Sequence, residues 1–373
     1  MTDVVLVTGV SRYLGGRFAR MLSTAGGVSR VIGVDVVPPG HDIGETEFVR
    51  ADIRNPVIAK VIERAGVDTV VHMNVIATPT SAVGRVSLKE INVIGTMQLL
   101  AACQKAPGVK RLVVKSTTAV YGSSPRDPAL FPEDAAAQVL PRAGWGRDSV
   151  EVEGYVRGFS RRRPDVDVAV LRFANAVGPG MHTPLTDYFE LPVAPTVLGY
   201  DPRLQFVHED DLLEALRVAT EGTASGIVNV AGAGVVTLAQ ALGMTGRPAV
   251  PVPSPLIEPV ARGVRRGFRV DISSELVRQL TYGRVVDTTR MRSELGFVPR
   301  FTSRAAFADH VRARRLDGLL TPEVLDAAEH RVLDLTRRVE HGVTRVGGAV
   351  ARLAGAAALA AGAAAATGRA GPR

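Results

Sequence analysis

The order of residues 4–35, VVLVTGVSRYLGGRFARMLSTAGGVSRVIGVD, restricts the fold more than any other stretch of the chain. The apolar run Val4–Val7 suits a short strand buried on both faces. A glycine-bearing turn and a helical stretch follow, and a second apolar run stops at Asp35. Gly9, Gly15 and Gly16 let backbone approach backbone, and the amides that open the helix face a ligand with the positive end of its dipole. Such a turn cradles a pyrophosphate. An acid closing the second strand accepts both ribose hydroxyls of an adenosine and repels a 2′-phosphate. The pattern therefore predicts a dinucleotide site that prefers NAD(H) to NADP(H).

Further segments follow in a set order. Ala51-Asp52-Ile53 ends a third predicted strand, and Val70 to Asn74 forms a fourth running into a turn. Asn92-Val93-Ile94-Gly95-Thr96 begins an apolar helix through Ala102, and RLVVKSTTAVY (111–121) gives a fifth strand and its end. LRFANAVGP (171–179) closes a sixth strand; FVHEDD (206–211) and the stretch from Asp287 to Pro299 complete the series. In this order the segments resemble the extended short-chain dehydrogenase/reductase family, in its NAD-dependent nucleotide-sugar epimerase/dehydratase branch (UDP-glucose 4-epimerase-like). The family loop TGxxGxxG is represented by Thr8 to Gly15, with Arg12 at the middle glycine. A guanidinium beside a pyrophosphate is electrostatically favourable, although it adds bulk.

The resemblance implies an α/β fold: a Rossmann-type doubly wound parallel sheet, a smaller C-terminal substrate lobe and a helical C-terminal extension. Residues 1–175 would form the dinucleotide-binding domain, with 205–231 returning to it. Residues 176–204 and 232–300 would form the substrate lobe, 301–345 a helical extension and 346–373 an Ala/Gly-rich tail. Cofactor contacts are implied at Gly9, Ser11, Arg12, Tyr13, Leu14 and Gly15 in the loop, at Asp35, at Asp52 and Ile53 by the adenine, and at Asn74, Asn92 and Ser116. Thr117 takes the catalytic Ser/Thr position. Asn175 is carried over to the phosphates of a nucleotide sugar, with Arg203 and Arg290 as further contacts. Met181 to Asp201 reads as an irregular, proline-rich connection.

One part of the family pattern is missing. Relatives work through a tyrosine and a lysine at YxxxK on the helix after the fifth strand, where the tyrosine takes or gives the hydroxyl proton as hydride moves. Here the lysines are Lys60, Lys89, Lys105, Lys110 and Lys115, so none follows the fifth strand. If Glu153 is the family's glutamate, Trp145 and Ser149 take the two positions; if Glu151 is, Ala143 and Arg147 do. Tyr155 lies ten residues beyond Trp145, about 15 Å along a helix, and cannot serve the same site. Lys115 and Tyr121 are then the candidates, with Thr117, for a rebuilt catalytic site; Arg147 stays charged, and His208 titrates near neutrality. The alternative is a noncatalytic NAD-binding scaffold or regulator acting through its C-terminal helices.

Composition narrows the partners. The 373 residues, 46% of them hydrophobic, suit two lobes with a large core. The net charge of +8 comes with only 5% aromatic residues and no basic stripe interleaved with them, which argues against nucleic acid. Nearly all the basic residues are arginine, and Arg262, Arg265, Arg266 and Arg269 are the candidates for an anionic surface. Cys103 lies on an apolar helix face and has no second cysteine to pair with, which fits a reducing compartment. The histidines lack ligand spacing, so no metal is expected. The first strand begins close to Met1, which leaves no room for a signal peptide and points to a cytoplasmic protein. Helical spacing runs from Ala305 to Glu340. The last segment, rich in alanine and containing four arginines and no acid over 341–373, is a poor membrane span and at most touches an anionic surface. Relatives pair through helices that correspond to 85–106 and 147–163, so a homodimer is expected.

Overall fold

The computed structural model describes residues 3–73, 89–141, 144–268 and 270–316. The expectations for Asn74, Ala143, Arg269 and everything after residue 316 lie outside the described residues.

The chain begins β1 (Val4–Thr8), α1 (Tyr13–Thr24), β2 (Arg30–Asp35), β3 (Glu47–Arg50), α2 (Val57–Ala65) and β4 (Thr69–His72). A π-helical turn, Glu90–Ile94, runs into α3 (Gly95–Lys105); β5 (Arg111–Thr117), a 3-10 turn at Thr118–Tyr121, α4 (Gly144–Arg162) and β6 (Asp167–Phe173) follow. Then come β7 (Asn175–Val177), α5 (Pro184–Phe189), β8 (Ala194–Val197), β9 (Arg203–Leu204), β10 (Phe206–His208), α6 (Glu209–Glu221) and β11 (Gly226–Val230). The chain continues with β12 (Val236–Thr237), α7 (Leu238–Thr245), β13 (Ala249–Val252), α8 (Ser254–Phe268), α9 (Ser274–Tyr282), α10 (Thr289–Ser293) and α11 (Ser303–Ala313).

Seven parallel strands form the main sheet in the order β11-β6-β5-β4-β1-β2-β3. Strand order reverses between β1 and β4, so a crevice opens at their carboxyl ends, where such sheets bind ligands. The alternation of side chains splits the apolar residues between two layers. Val5, Val7, Val71 and Val113 face α1 and α6, in a core with Phe18, Leu22 and Leu216. Leu6, Val70, Leu112 and Val114 face the other way, against α2, α3 and α4, with Ile58, Leu99, Cys103 and Phe159. Both faces are covered, which is why these strands read as continuous apolar runs.

The smaller lobe has its own core, built from Tyr188, Phe189, Leu204, Phe206, Leu276, Leu280 and Phe307. Two sequence expectations change here. Met181 to Asp201 is not irregular throughout: Pro184 at the first helical turn and reciprocal capping between Thr183 and Thr186 fix α5, and β8 pairs with β13. Residues 205–231 lie against the main sheet through α6 and enter it as β11. β10 pairs with β7, with Phe206 in the small-lobe core and Val207 in the sheet core. Nor does the lobe end at residue 300, because Phe307 on α11 stacks on Phe206 and meets Phe189 edge-on, each at 4.8 Å between ring centroids.

Candidate functional site

The turn after β1 is tight for a reason that can be measured. Gly9 has φ +78°, and its amide donates to the Val34 carbonyl at 2.9 Å. A Cβ on Gly15 would lie 2.1 Å from the Gly9 carbonyl oxygen, so α1 can pack onto the turn only with glycine there. Asp35, at the end of β2, turns toward the same loop: its Oδ2 accepts from the Ser11 amide at 3.1 Å and its Oδ1 from the Val36 amide at 2.8 Å. Ser11 also donates its hydroxyl to the Val37 carbonyl. Arg12 caps the start of α1 in an extended conformation, and burial lowers its pKa while Asp35 opposes that shift. These are the features a dinucleotide pyrophosphate and adenosine ribose need, and the residues fit that group. Leu14 packs against the sheet core. Tyr13 points to the start of α6, where its hydroxyl donates to Glu209 at 2.8 Å and fills the space a side chain on Gly180 would need.

At the crevice itself, Thr8 of β1 and His72 of β4 are joined across the sheet. The Met73 amide donates to Thr8 Oγ1, which leaves the Thr8 hydroxyl proton for His72 Nδ1 at 3.0 Å. Thr96 gives its hydroxyl proton to the Asn92 carbonyl, so His72 Nε2–H donates to Thr96 Oγ1 at 2.8 Å. This chain is satisfied only by the neutral imidazole. Burial, with the Lys115 charge behind it, pushes the His72 pKa down to about 4. Lys115 stands half-buried near the end of β5, and burial together with the Arg12 charge lowers its pKa to about 8. Lys115 and Arg12 thus approach the crevice from either side of β4 and β1. Of the adenine-side candidates, Asp52 is held by Arg54 at 2.7 Å, which lowers its pKa, and Ile53 lies buried beneath Gly95. Asn92 is fully buried and directs its amide toward Asp148 of α4 at 3.5 Å.

Past Lys115 the side chains of β5 diverge. Thr117 Oγ1 accepts from the Ala119 amide at 3.2 Å and opens the 3-10 turn, half-exposed. Ser116 points to the opposite face and donates to Glu153 at 2.6 Å. Tyr121 is not at the mouth with Thr117. It is 1% exposed, stacks on Phe131, donates to Asn229 Oδ1 at 2.8 Å and accepts from Arg172 Nη1 at 2.8 Å. Arg172 in turn grips Glu153 with two parallel bonds, Nε–Oε1 at 3.0 Å and Nη2–Oε2 at 2.6 Å. Burial raises the Tyr121 pKa.

The two acids of α4 have opposite surroundings. Glu153 is the inner one, locked by Ser116 and Arg172; Glu151 lies outside with Arg147 at 3.1 Å and Lys89 at 3.7 Å. One turn before Glu153, Ser149 is buried and donates its hydroxyl to the Trp145 carbonyl at 2.8 Å. Arg147 is exposed. His208 is also spoken for: Nδ1 accepts from the Asp210 amide, Nε2 faces Asp309 at 3.3 Å, and the ring stacks on Phe301.

A cavity of about 510 Å³ lies between the loop after Tyr121 and the smaller lobe. Its walls include Asp127, Tyr200, Arg203, Tyr282 and Arg284. Arg203 donates to the Ala129 carbonyl at 2.9 Å. Burial lowers the Arg284 pKa to about 10 against the pull of Glu275, Asp127 and Tyr121, and its Nε is buried without a partner among the described residues. Arg284 and the two tyrosines went unnoticed in the sequence, where a chain so rich in arginine gives no single one prominence. The other substrate candidates lie elsewhere. The Asn175 amide is occupied by the Gln205 carbonyl at 2.9 Å and Gln279 at 2.6 Å, and Arg290 faces Glu294 at 3.5 Å and Glu133 at 3.8 Å on the surface of α10.

Residues 5–231 match the sequence pattern of the NAD dependent epimerase/dehydratase family. The chain belongs to that family. A protein of Mycobacterium tuberculosis (strain ATCC 25618 / H37Rv) is 45% identical over 339 residues, covering 90% of each chain. A Sinorhizobium fredii protein is 28% identical over 318 residues, 81% of this chain and 76% of its own. Solved structures share the family fold at lower identity. The dTDP-glucose 4,6-dehydratase DesIV of Streptomyces venezuelae, with NAD and TYD bound, has a TM-score of 0.63 at 24% identity over 84% of this chain and 97% of its own. MoeE5 in complex with UDP-glucuronic acid and NAD has a TM-score of 0.63 at 22% identity, covering 84% and 99%. Among the described residues no helix of this family member is long and apolar enough to cross a membrane, and no group of acids, histidines and cysteine is placed to hold a metal ion.

Proposed function

We propose that this chain binds NAD(H) at the β1/β4 crevice and a nucleotide sugar in the cavity beside it, for oxidoreductase-type chemistry of the epimerase/dehydratase kind. The observation that carries the reading is the contact of Gly15 with the Gly9 carbonyl beneath an Asp35 turned into the same loop. Gly9, Ser11, Arg12 and Gly15 would hold the pyrophosphate, Asp35 the adenosine ribose, and Arg203 and Arg284 the diphosphate of the sugar nucleotide. Tyr200 and Tyr282, edge-on at 5.7 Å, offer a ring face to its base. When bound, the dinucleotide would supply a hydride acceptor through its nicotinamide. Support for the nucleotide sugar comes from the bound ligands of the similar structures, and support for NAD over NADP from the carboxylate of Asp35.

The reading is tested by titrating the protein with NAD⁺ and NADP⁺, alone and with UDP-glucose. It expects NAD⁺ to bind at least about tenfold tighter than NADP⁺, a difference of ~1.4 kcal/mol, and Gly15→Ala to lose both. Equal affinity for the two, or binding unaffected by Gly15→Ala, contradicts it. Trp145 and Ser149 favour a second reading, a scaffold that keeps the nucleotide without turnover, because neither replaces a phenol or an ammonium. We also infer a homodimer through α3 and α4, where Met97 and Tyr155 are each 40% exposed. Light scattering at twice the chain mass is the expected result.

A further inference from the structure

The tyrosine and lysine of the family motif are missing, yet a carboxylate reaches the start of the helix that would carry them. Glu275, in the first turn of α9, crosses from the smaller lobe to the start of α4. Its Oε2 accepts from the Gly146 amide at 3.3 Å. A Cβ on Gly146 would lie 2.3 Å from Glu275 Oε1 and 3.2 Å from the Ala119 carbonyl oxygen. The Ala119 amide donates to Thr117 Oγ1 at 3.2 Å. The carboxylate therefore touches the residue following Trp145, and that residue lies against the 3-10 turn that Thr117 opens. Behind Glu275 stands Arg284, a wall of the cavity, which attracts it electrostatically. Glu275 thus faces the charge of Arg284 and the amide that opens α4.

We propose that Glu275 accepts the proton of the reacting sugar hydroxyl, in the place the family gives to the tyrosine. The proposal rests on the nucleotide-sugar reading above. The O–H bond of the substrate breaks and its proton passes to a Glu275 carboxylate oxygen, while the electron pair of the adjacent C–H bond leaves as hydride to the oxidised nicotinamide dinucleotide; a carbonyl remains. Reversal of the step returns the proton to the alkoxide oxygen. The substitution accounts for both missing side chains together. A phenol needs a neighbouring cation before it ionises near neutrality, whereas a carboxyl group does not. The lysine is then superfluous, and Ser149 can spend its hydroxyl on the helix backbone. The start of α4 also favours a negative charge, through its dipole and the Gly146 N–H. Gly146 itself follows from the arrangement, since any side chain there would displace the carboxylate.

Glu275→Gln keeps the shape and the acceptor for the Gly146 amide but cannot take a proton. With NAD⁺-loaded protein, the affinities for UDP-, dTDP- and GDP-glucose and for the three free diphosphates are measured, together with the near-ultraviolet absorbance of reduced nicotinamide. In Glu275→Gln the diphosphates are expected to bind as before, the cognate sugar nucleotide to bind about tenfold more weakly, and the rate of reduction to fall by about 10²–10⁴. Glu275→Asp is expected to recover part of the rate, and the melting temperature to stay the same in both variants. An unchanged rate in Glu275→Gln overturns the proposal. So does an equal loss for sugar nucleotide and diphosphate, which marks a structural contact between the lobes. An unaltered chain that binds both ligands and reduces no nicotinamide overturns the proposal and leaves the binding reading standing. A chain that binds no dinucleotide overturns that reading itself.

Discussion

Three partners hold Tyr121 at once: the amide oxygen of Asn229, the guanidinium of Arg172 and the ring of Phe131. A phenol so placed cannot swing to a substrate without leaving buried polar atoms unmatched, and this argues for a positioning role. Tyr121→Phe is expected to cost about 1–3 kcal/mol in urea unfolding while leaving NAD⁺ affinity intact; a loss of affinity at unchanged stability contradicts that role. Lys115 has the opposite character. Its pKa of about 8 in the folded protein lies below the ordinary 10.5, so between those pH values the unfolded chain binds more protons and this group's contribution to stability grows as pH rises. A pyrophosphate beside Lys115 and Arg12 would raise that pKa again. NAD⁺ binding near pH 8 is therefore expected to take up protons, seen by calorimetry in buffers of different ionisation enthalpy, and to weaken as pH rises through this range. Lys115→Met should abolish both effects. Proton uptake that survives in Lys115→Met assigns it elsewhere.

Among the elements, the junction of β1 and β4 is sensitive to acid. The His72 pKa of about 4 lies below the unfolded value of 6.5, so between these pH values the unfolded chain binds more protons than the folded one. The stability it contributes is intact above pH 6.5 and is lost as pH falls toward 4, by about 3 kcal/mol in all. A flat stability between pH 6.5 and 4.5 would contradict the neutral, doubly bonded imidazole. Elements also set what can be read in sequence. The β1–α1–β2 unit is legible because a tight turn demands glycine and a doubly covered strand demands an apolar run. α5 is not, since three prolines over 184–195 mask a six-residue helix that depends on Thr183 and Thr186. Glu275 is hidden for a further reason. An acid in the first turn of a helix is ordinary local chemistry, and only the tertiary fold brings it to the Gly146 amide at the start of α4.

At the scale of the whole molecule, the segment after the smaller lobe packs back on the sheet core through Met291, Leu295 and Phe297, and polar side chains add further ties. Tyr13 and Arg17 of α1 hold Glu209, which also receives the Gly180 amide at 3.1 Å, and Glu275 reaches α4 from the other side. The sheet with a smaller lobe after it was legible because motif order survives substitution, whereas which side chains meet between the lobes is set by packing of segments more than a hundred residues apart. The most direct test is a single turnover of the NAD⁺-loaded protein with UDP-, dTDP- and GDP-glucose, followed by the near-ultraviolet absorbance of reduced nicotinamide. The account predicts a rise with one of these sugars. No rise with any of them, with dinucleotide and sugar both shown to be bound, would contradict it.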